Sequence, residues 1–456
     1  MANEIAGTST TYDNNSKRWE FLLRSYLGGD DYRGGQYLTK YKLESKEDYN
    51  ERLAQTPLDN QCKNVVHIYS SFLWREQPTR EYGSIKDDPA LHDYLDDADY
   101  DGRSFNALMR EATVWSSVYG HCWLILDKPP ITANTRAEEI AAGIRPYISL
   151  ITPENIYDWR HERLPSGAYQ LVYLKVREMV EDVTKWFRIW RPDTIELWKA
   201  VGEQEPQRVE ILDNTIGVIP AVCIYSQRSP IRGVGVSDVN DVADIQLAIF
   251  NELSEIEQLI RISNHPSLAK TDNTEASSGA GSIIQMPDDL DPGLKPFLLQ
   301  PSGGNLDAIR ASIEDKIKAV DRVTHLGAVR ATEKQAKSGI ALQTEFQMLN
   351  TKLSEKADLL ELAEEQLWKI WCLWQGKEWD GNVDYADSFD LRDYQSDLEF
   401  LQMARASGVQ SGTFQRAIDK QIIALVVDDD DLPQAYDEIE NTRIVGQFNT
   451  EVEVAA

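Results

Sequence analysis

The chain has 456 residues, 42% apolar and 27% charged, which is enough for two or three domains around a substantial core. Asp and Glu total 75 against 47 Lys and Arg, a net charge of −28, and that excludes ordinary nucleic-acid binding through a broad basic surface. A surface along which DNA slides without sticking remains compatible, since it needs only sparse cations. Four cysteines, Cys62, Cys122, Cys223 and Cys372, stand apart without a CxxC pair, so reduced buried thiols are expected. The opening MANEIAGTSTTYDNN is polar and unlike a secretion signal, and no apolar run approaches the ~18 residues of a membrane span. A soluble, intracellularly made protein is the expectation.

Residues 12–113 read as mostly helical. KRWEFLLRSYLGG ends at Gly28-Gly29, and NQCKNVVHIYSSFLWREQP stops at Pro78 with Val65, Val66, Ile68, Tyr69, Phe72 and Leu73 at helical spacing. SFNALMREATVWSSVYG continues the pattern to Gly120. The texture then changes. HCWLILD, RPYISLITPENIYDW, AYQLVYLKV, KWFRIWRPDTIELW and VIPAVCIYS are short β-branched and aromatic runs between turn residues, a β-rich module. From Gly233 the helical period returns, with Val239, Val242, Ile249, Leu253, Ile256 and Ile260 on one face and Asp238, Asp241, Asp244, Glu252 and Glu255 on an adjacent one. A Gly/Pro/Ser/Asp-rich insert of roughly 40 residues follows, with two apolar runs fit for strands. A second helix places Leu306, Ile309, Ile313, Ile317, Val320 and Val323 in steps of three and four. After GAVRATEKQAKSG comes a third, longer helix carrying Leu342, Phe346, Leu349, Leu353, Leu360, Leu367, Trp371 and Trp374. Residues 378–456 hold 18 Asp plus Glu against 5 Lys plus Arg, a net −13, and include helical stretches before a polar tail.

Motifs of chemistry are sparse. GVGVSD at 233–238 has the glycines of a phosphate cradle, but a flexible lead into a helix capped by Ser237 or Asp238 is the simpler reading. His67 and His121 sit in apolar contexts and read as packed core histidines. Asp428 to Asp431 lacks the spacing of a cation loop, and consecutive side chains do not converge on one ion, so a solvated turn is expected. Glu314/Asp315 and Glu364/Glu365 are helical neighbours and diverge. No catalytic residue, cofactor or metal is called for. GAVRATEKQAKSG stands out for Arg330, Lys334 and Lys337 against Glu333, a basic hinge between glycines in an acidic chain.

Two long helices flanking a compact insert form an antiparallel hairpin with more apolar stripe than it buries against itself. Copies packed side by side in a ring would cover it; a bundle within one chain is the alternative. At this point the order of elements from about 17 to 445 resembles the portal, or head-to-tail connector, proteins of tailed bacteriophages. VYGHCWLILD followed by ITPENIYDWR is similar to a portal wing segment. GVGVSDVNDVADIQLAIFNELSEIEQLIRIS and IRASIEDKIKAVDRVTHLG resemble the two stem helices, and KSGIALQTEFQMLNTKLSEKADLLELAEEQL the long wing helix.

The resemblance implies a predominantly helical α+β, portal-like fold. Its regions are a helical part of the wing (1–116), a β-rich part of the wing (117–232), a first stem helix (233–263) and a clip (264–305). A second stem helix (306–326), a tunnel loop (327–339), a long wing helix (340–377) and a crown with C-terminal tail (378–456) complete it. It implies a homo-oligomeric ring, expected to have 12 subunits, at one capsid vertex of the virion, made in the host bacterial cytoplasm. That ring would be a channel for genome packaging and ejection. Terminase large subunit and later head-tail adaptor or tail proteins would dock on it, beside major capsid and scaffolding proteins. Double-stranded DNA would pass without sequence specificity past Arg330, Lys334 and Lys337 in the tunnel loop, and past acidic stem faces at Asp238, Asp241, Asp244, Glu252 and Glu255. The ring itself is no enzyme, and no membrane is involved. The alternatives are another virion structural protein, an adaptor or scaffold, or a soluble enzyme with a cleft in the β-rich module.

Overall fold

The computed structural model describes residues 5–129, 138, 142–181, 183–202, 204–264, 267–269, 297–299, 304–330, 339–389, 401–406, 411–424, 435–436 and 438–439. Two units divide the chain, residues 1–389 and 390–456.

In the first unit, helices α1 (Thr10–Leu27), α2 (Gly29–Gly34), α3 (Lys46–Gln55), α4 (Gln61–Leu73), α5 (Pro89–Asp96) and α6 (Phe105–Tyr119) precede the β-rich part. Their starts follow capping chemistry: Ser9, Ser45, Asn60, Asp88 and Ser104 each accept a backbone N–H of the first turn through the side chain. α6 stops at Gly120, left-handed at φ 91. Short strand β1 (Thr79–Glu81) lies between α4 and α5.

Strand β2 (His121–Asp127) is the centre of a three-stranded antiparallel sheet, flanked by β3 (Tyr147–Ile151) and β9 (Ala221–Tyr225). Its alternation serves two cores. Cys122, Leu124 and Leu126 face the helical core, while Trp123 and Ile125 join a second cluster with Ile156, Leu174, Val176 and Trp190. That cluster is supplied by an antiparallel meander of β4 (Ile156–Arg163), β5 (Tyr169–Glu181), β6 (Thr184–Trp190), β7 (Thr194–Val201) and β8 (Gln207–Asp213). The fold is α+β, with helices predominating.

Helix α7 (Asn240–Asn264) and helix α8 (Gly304–Thr324) form an antiparallel hairpin, and β10 (Ser267–Ala269) pairs antiparallel with β11 (Phe297–Leu299) beyond it. Helix α9 (Gly339–Gln375) runs about 55 Å at 1.5 Å per residue. It crosses the main core with Leu349, Leu353, Leu360, Leu367 and Trp371, all buried as its period requires. Leu342 lies outside the residues whose side chains are described. Strand β12 (Asn382–Asp384) pairs with β1, and Val383, Tyr385 and Phe389 complete the same core. The stretch 378–389 therefore packs with the first unit.

The second unit contains a helical stretch at 401–406 and helix α10 (Gly412–Ala424). Arg405 lies 3.6 Å from Asp419, and the Lys420 ammonium sits over the Tyr436 ring. Asp428 to Asp431 fall outside the described residues. Among the described residues no helix is long and apolar enough to cross a membrane.

Candidate functional site

The base of the hairpin is sunk in the body. Val239 just before α7, Val242 and Ala243 in its first turn, Val320 near the end of α8 and Leu326 just beyond it belong to the main core. Farther along α7, Gln246 is wholly buried and bonded both ways, accepting from the Cys62 N–H at 2.9 Å and donating to the Ser25 carbonyl at 3.0 Å. Arg52 bridges Glu44 at 2.7 Å and donates to Ser254 at 3.0 Å, bracing the middle of α7.

Asp238 is not on an exposed acidic face, as the helical spacing had suggested. Helix α7 begins two residues later, and the Asp238 carboxylate turns inward to Lys356 of α9 at 2.6 Å, with Ser226 donating to it at 2.8 Å. The two charged side chains are only 4% and 5% exposed, and Lys352 approaches Asp238 at 3.6 Å. Burial alone would raise the Asp238 carboxyl, but Lys356 and Lys352 outweigh it and hold it below the usual carboxylate range. Lys352 also donates to Tyr69 Oη at 3.1 Å, and that hydroxyl donates to the Thr324 carbonyl at the last turn of α8. One polar cluster thus ties Asp238, two residues before α7, the end of α8 and the middle of α9 together.

The other acidic candidates separate. Glu252 faces α8, accepting from Lys316 at 2.6 Å and from Ser312 at 2.8 Å. Asp244 is exposed yet paired with Arg18 of α1 at 2.8 Å, and Glu255 accepts from Tyr41 at 2.6 Å. Asp241, also exposed, accepts from the Asn240 side chain at 3.0 Å. They form no continuous free stripe, because the N-terminal region packs along the same flank of α7.

The start of the basic hinge is equally well tied. His325 adopts a left-handed conformation (φ 59) just after α8, and the Leu326 N–H returns to the Asp321 carbonyl at 3.0 Å, a Schellman-type closure. The helix thus closes at His325, two residues before Gly327, and residues 331–338 of the hinge lie outside the described residues. Arg330 is engaged, donating to Asp321 at 2.8 Å and to Gln61 at 2.9 Å, with its side chain 15% exposed. It anchors the hinge to the body rather than presenting a free cation. Lys334 and Lys337 lie outside the described residues.

The glycines of GVGVSD have a packing role. A Cβ on Gly235 would stand 1.9 Å from the Gly120 carbonyl oxygen, and one on Gly233 would strike the Trp159 ring. The Gly235 N–H donates to His121 Nδ1 at 3.2 Å, so the two backbones cross in contact. Burial pushes the His121 imidazole down to about 3, which keeps it neutral and able to accept. His121 is a core histidine as expected; His67 is instead exposed, with Tyr26 Oη 3.4 Å from its Nε2. Ser237 Oγ accepts the Val239 N–H at 3.1 Å and caps the approach to α7.

Glu364 and Glu365 diverge as expected. Glu364 is fully buried, accepting from Arg80, from Trp368 Nε1 at 3.0 Å and from Tyr385 at 2.7 Å, while Glu365 accepts from Trp379 Nε1 and the Val383 N–H. Cys62, Cys122 and Cys372 are buried free thiols, and Cys223 is half-buried. Among the described residues no group of His, Cys, Asp and Glu is arranged to hold a metal ion.

No protein-family model matches the sequence, and no curated protein does either. Among solved structures, similar chains come from the virion of a native gene transfer agent particle (TM-score 0.45, 13% identity, 78% of this chain and 89% of that one). Others come from the neck of an empty particle of the same kind computed with C6 symmetry (0.45, 12%, 78% and 89%). The neck of the native particle computed with C12 symmetry gives 0.44 and 12%, over 80% of this chain and 89% of that one. Such low identity carries no functional conclusion by itself.

Proposed function

We propose that the chain is a portal-type subunit that assembles into a ring around DNA. The supporting observation is the hairpin beyond its base. From 257 to 264 and from 305 to 319 no side chain is fully buried, although Ile260, Ile262, Leu306, Ile309, Ile313 and Ile317 recur there. A helical pair gains its stability from burying an apolar stripe, and this one leaves its stripe half covered. Copies side by side, related by a rotation that closes, would supply the missing cover. The polar cluster around Asp238 holds each hairpin at a set angle to its body, as a ring requires. In this reading the basic hinge borders the axial channel, and Lys334 and Lys337 are the cations proposed to meet phosphates. A dodecamer, docking of terminase and adaptor proteins near β10 and β11, and a place at a capsid vertex belong to the same proposal.

Gel filtration with light scattering tests the ring directly, together with negative-stain imaging. The expected particle contains about a dozen subunits around a central channel. A compact monomer at high concentration, or an assembly without a channel, overturns the proposal.

A further inference from the structure

A cavity of about 640 Å³ opens between the β-rich part and α9. Its apolar floor includes Trp123, Leu171, Ile219 and Ala221, and Leu359 and Ala363 of α9 close the opposite side. In a chain of net charge −28, no carboxylate lines it among the described residues. Two arginines do, Arg228 and Arg232, both exposed on the loop Gln227–Val236.

That loop is rigidly built. Val236 N–H donates to the Gln227 carbonyl at 2.9 Å, Ser229 Oγ to the Val234 carbonyl at 2.7 Å, and Gly233 N–H to Tyr225 Oη at 2.9 Å. The Arg232 guanidinium stacks 3.8 Å from the Tyr169 ring centroid and Arg228 lies 5.7 Å from that of Tyr225. Neither has a carboxylate partner among the described residues, in contrast to Arg18, Arg52, Arg80 and Arg330. The Arg232 guanidinium is thus stacked on an aromatic ring, Arg228 lies more loosely beside one, and neither N–H fork meets a carboxylate among the described residues. Two large apolar side chains flank the opening, Ile231 at 52% and Leu362 at 50% exposure.

We propose that this cavity receives a carboxylate-bearing segment of a second copy of the chain, gripped by Arg228 and Arg232. The proposal rests on the ring reading above. Charge complementarity selects the occupant: each copy offers an abundance of carboxylates, and this concave site offers arginine forks already in place. Pre-organisation lowers the ordering cost of binding, and the exposed Ile231 and Leu362 gain apolar cover around the ion pairs. In a ring of mutually repelling acidic subunits, such a site also sets which faces meet.

Two measurements on the full chain test this. The double variant R228E/R232E should raise the concentration for half-assembly by at least about tenfold relative to wild type. Both side chains are exposed, so its melting as a monomer should match wild type. Independently, p-benzoylphenylalanine in place of Ile231 should, in assembled wild-type background, photocross-link to an Asp/Glu-rich peptide of another copy. If wild type assembles while R228E/R232E assembles equally well, the inference is overturned and the ring reading stands. Cross-links confined to the same chain, or to apolar segments, overturn it equally, even if the charge-reversed variant proves misfolded. A wild-type chain that stays monomeric removes the ring reading and this inference with it.

Discussion

Lys356 and Asp238 meet where three long helices converge, both almost out of reach of water. Removing one partner leaves an uncompensated buried charge, which costs about 3–5 kcal/mol. Lys356→Met should therefore lower unfolding free energy by about that amount in urea titrations, and adding Asp238→Asn should recover part of it. An unchanged midpoint in the single variant would show that the pair is not coupled. Because the Asp238 carboxyl is held below its ordinary value, its contribution is full above about pH 4 and fades as pH falls further. His121 acts in a higher window. Folded, it stays neutral down to about 3, whereas an unfolded histidine takes up a proton near 6.5, so stability declines as pH falls below about 6.5. This one residue accounts for a slope of about 1.4 kcal/mol per pH unit. His161 and His325 are shifted down as well, by burial first, and so is the more exposed His67, by partial desolvation and then by the nearby Lys63 and Arg110; all three add to the decline. His121→Gln should flatten the dependence between pH 6.5 and 5 in a denaturation series; an equal slope in the variant would show that His121 takes no part. The inward turn of Asp238 was not legible in the sequence, since a periodicity argument counts it on a helix that starts only at Asn240.

At the scale of elements, the crossing of Gly120 and Gly235 joins the turn between α6 and β2 to the approach of α7. Gly235→Ala puts a methyl group into the Gly120 carbonyl, and such overpacking costs about 1–3 kcal/mol or more. A melting temperature equal to wild type in G235A would contradict that contact. In the basic hinge, the anchored Arg330 and the two lysines proposed to meet DNA call for separate tests. Arg330→Ala removes the anchor to Asp321 and Gln61 and should lower stability, whereas K334A/K337A should leave folding and assembly intact and impair DNA packaging or retention. Normal packaging by K334A/K337A would end the proposed role of those lysines. The strands from His121 to Tyr225 were readable because β-branched and aromatic residues cluster between turn signals. β8 was not singled out: its Val209 and Ile211 alternate with polar residues, but the apolar run is short, and both side chains stay at least half exposed instead of joining a core.

At the scale of the molecule, the first unit closes only with residues beyond α9. Tyr385 completes the shell around buried Glu364, and Val383 and Phe389 fill the main core. A chain ending at Phe389 should retain cooperative unfolding near the wild-type midpoint. One ending at Lys377 should lose several kcal/mol, because Glu364 loses a hydrogen bond and apolar surface is uncovered. Equal stability of the two truncations, followed by circular dichroism during heating, would refute this boundary.

The amino-acid sequence by itself determined the helices, the β-rich part between them, and the long hairpin followed by a longer helix. These depend on local periodicity and on turn residues, which act within a few positions of themselves. Only the tertiary structure decided which charges face inward. Asp238, Glu252 and Arg330 share the residue types of solvated neighbours, and what separates them is the arrival of Lys356, Lys316 and Gln61 from distant parts of the chain. The exposed pair Arg228 and Arg232 became notable for the same reason: that neither meets a carboxylate among the described residues is visible only in the tertiary structure.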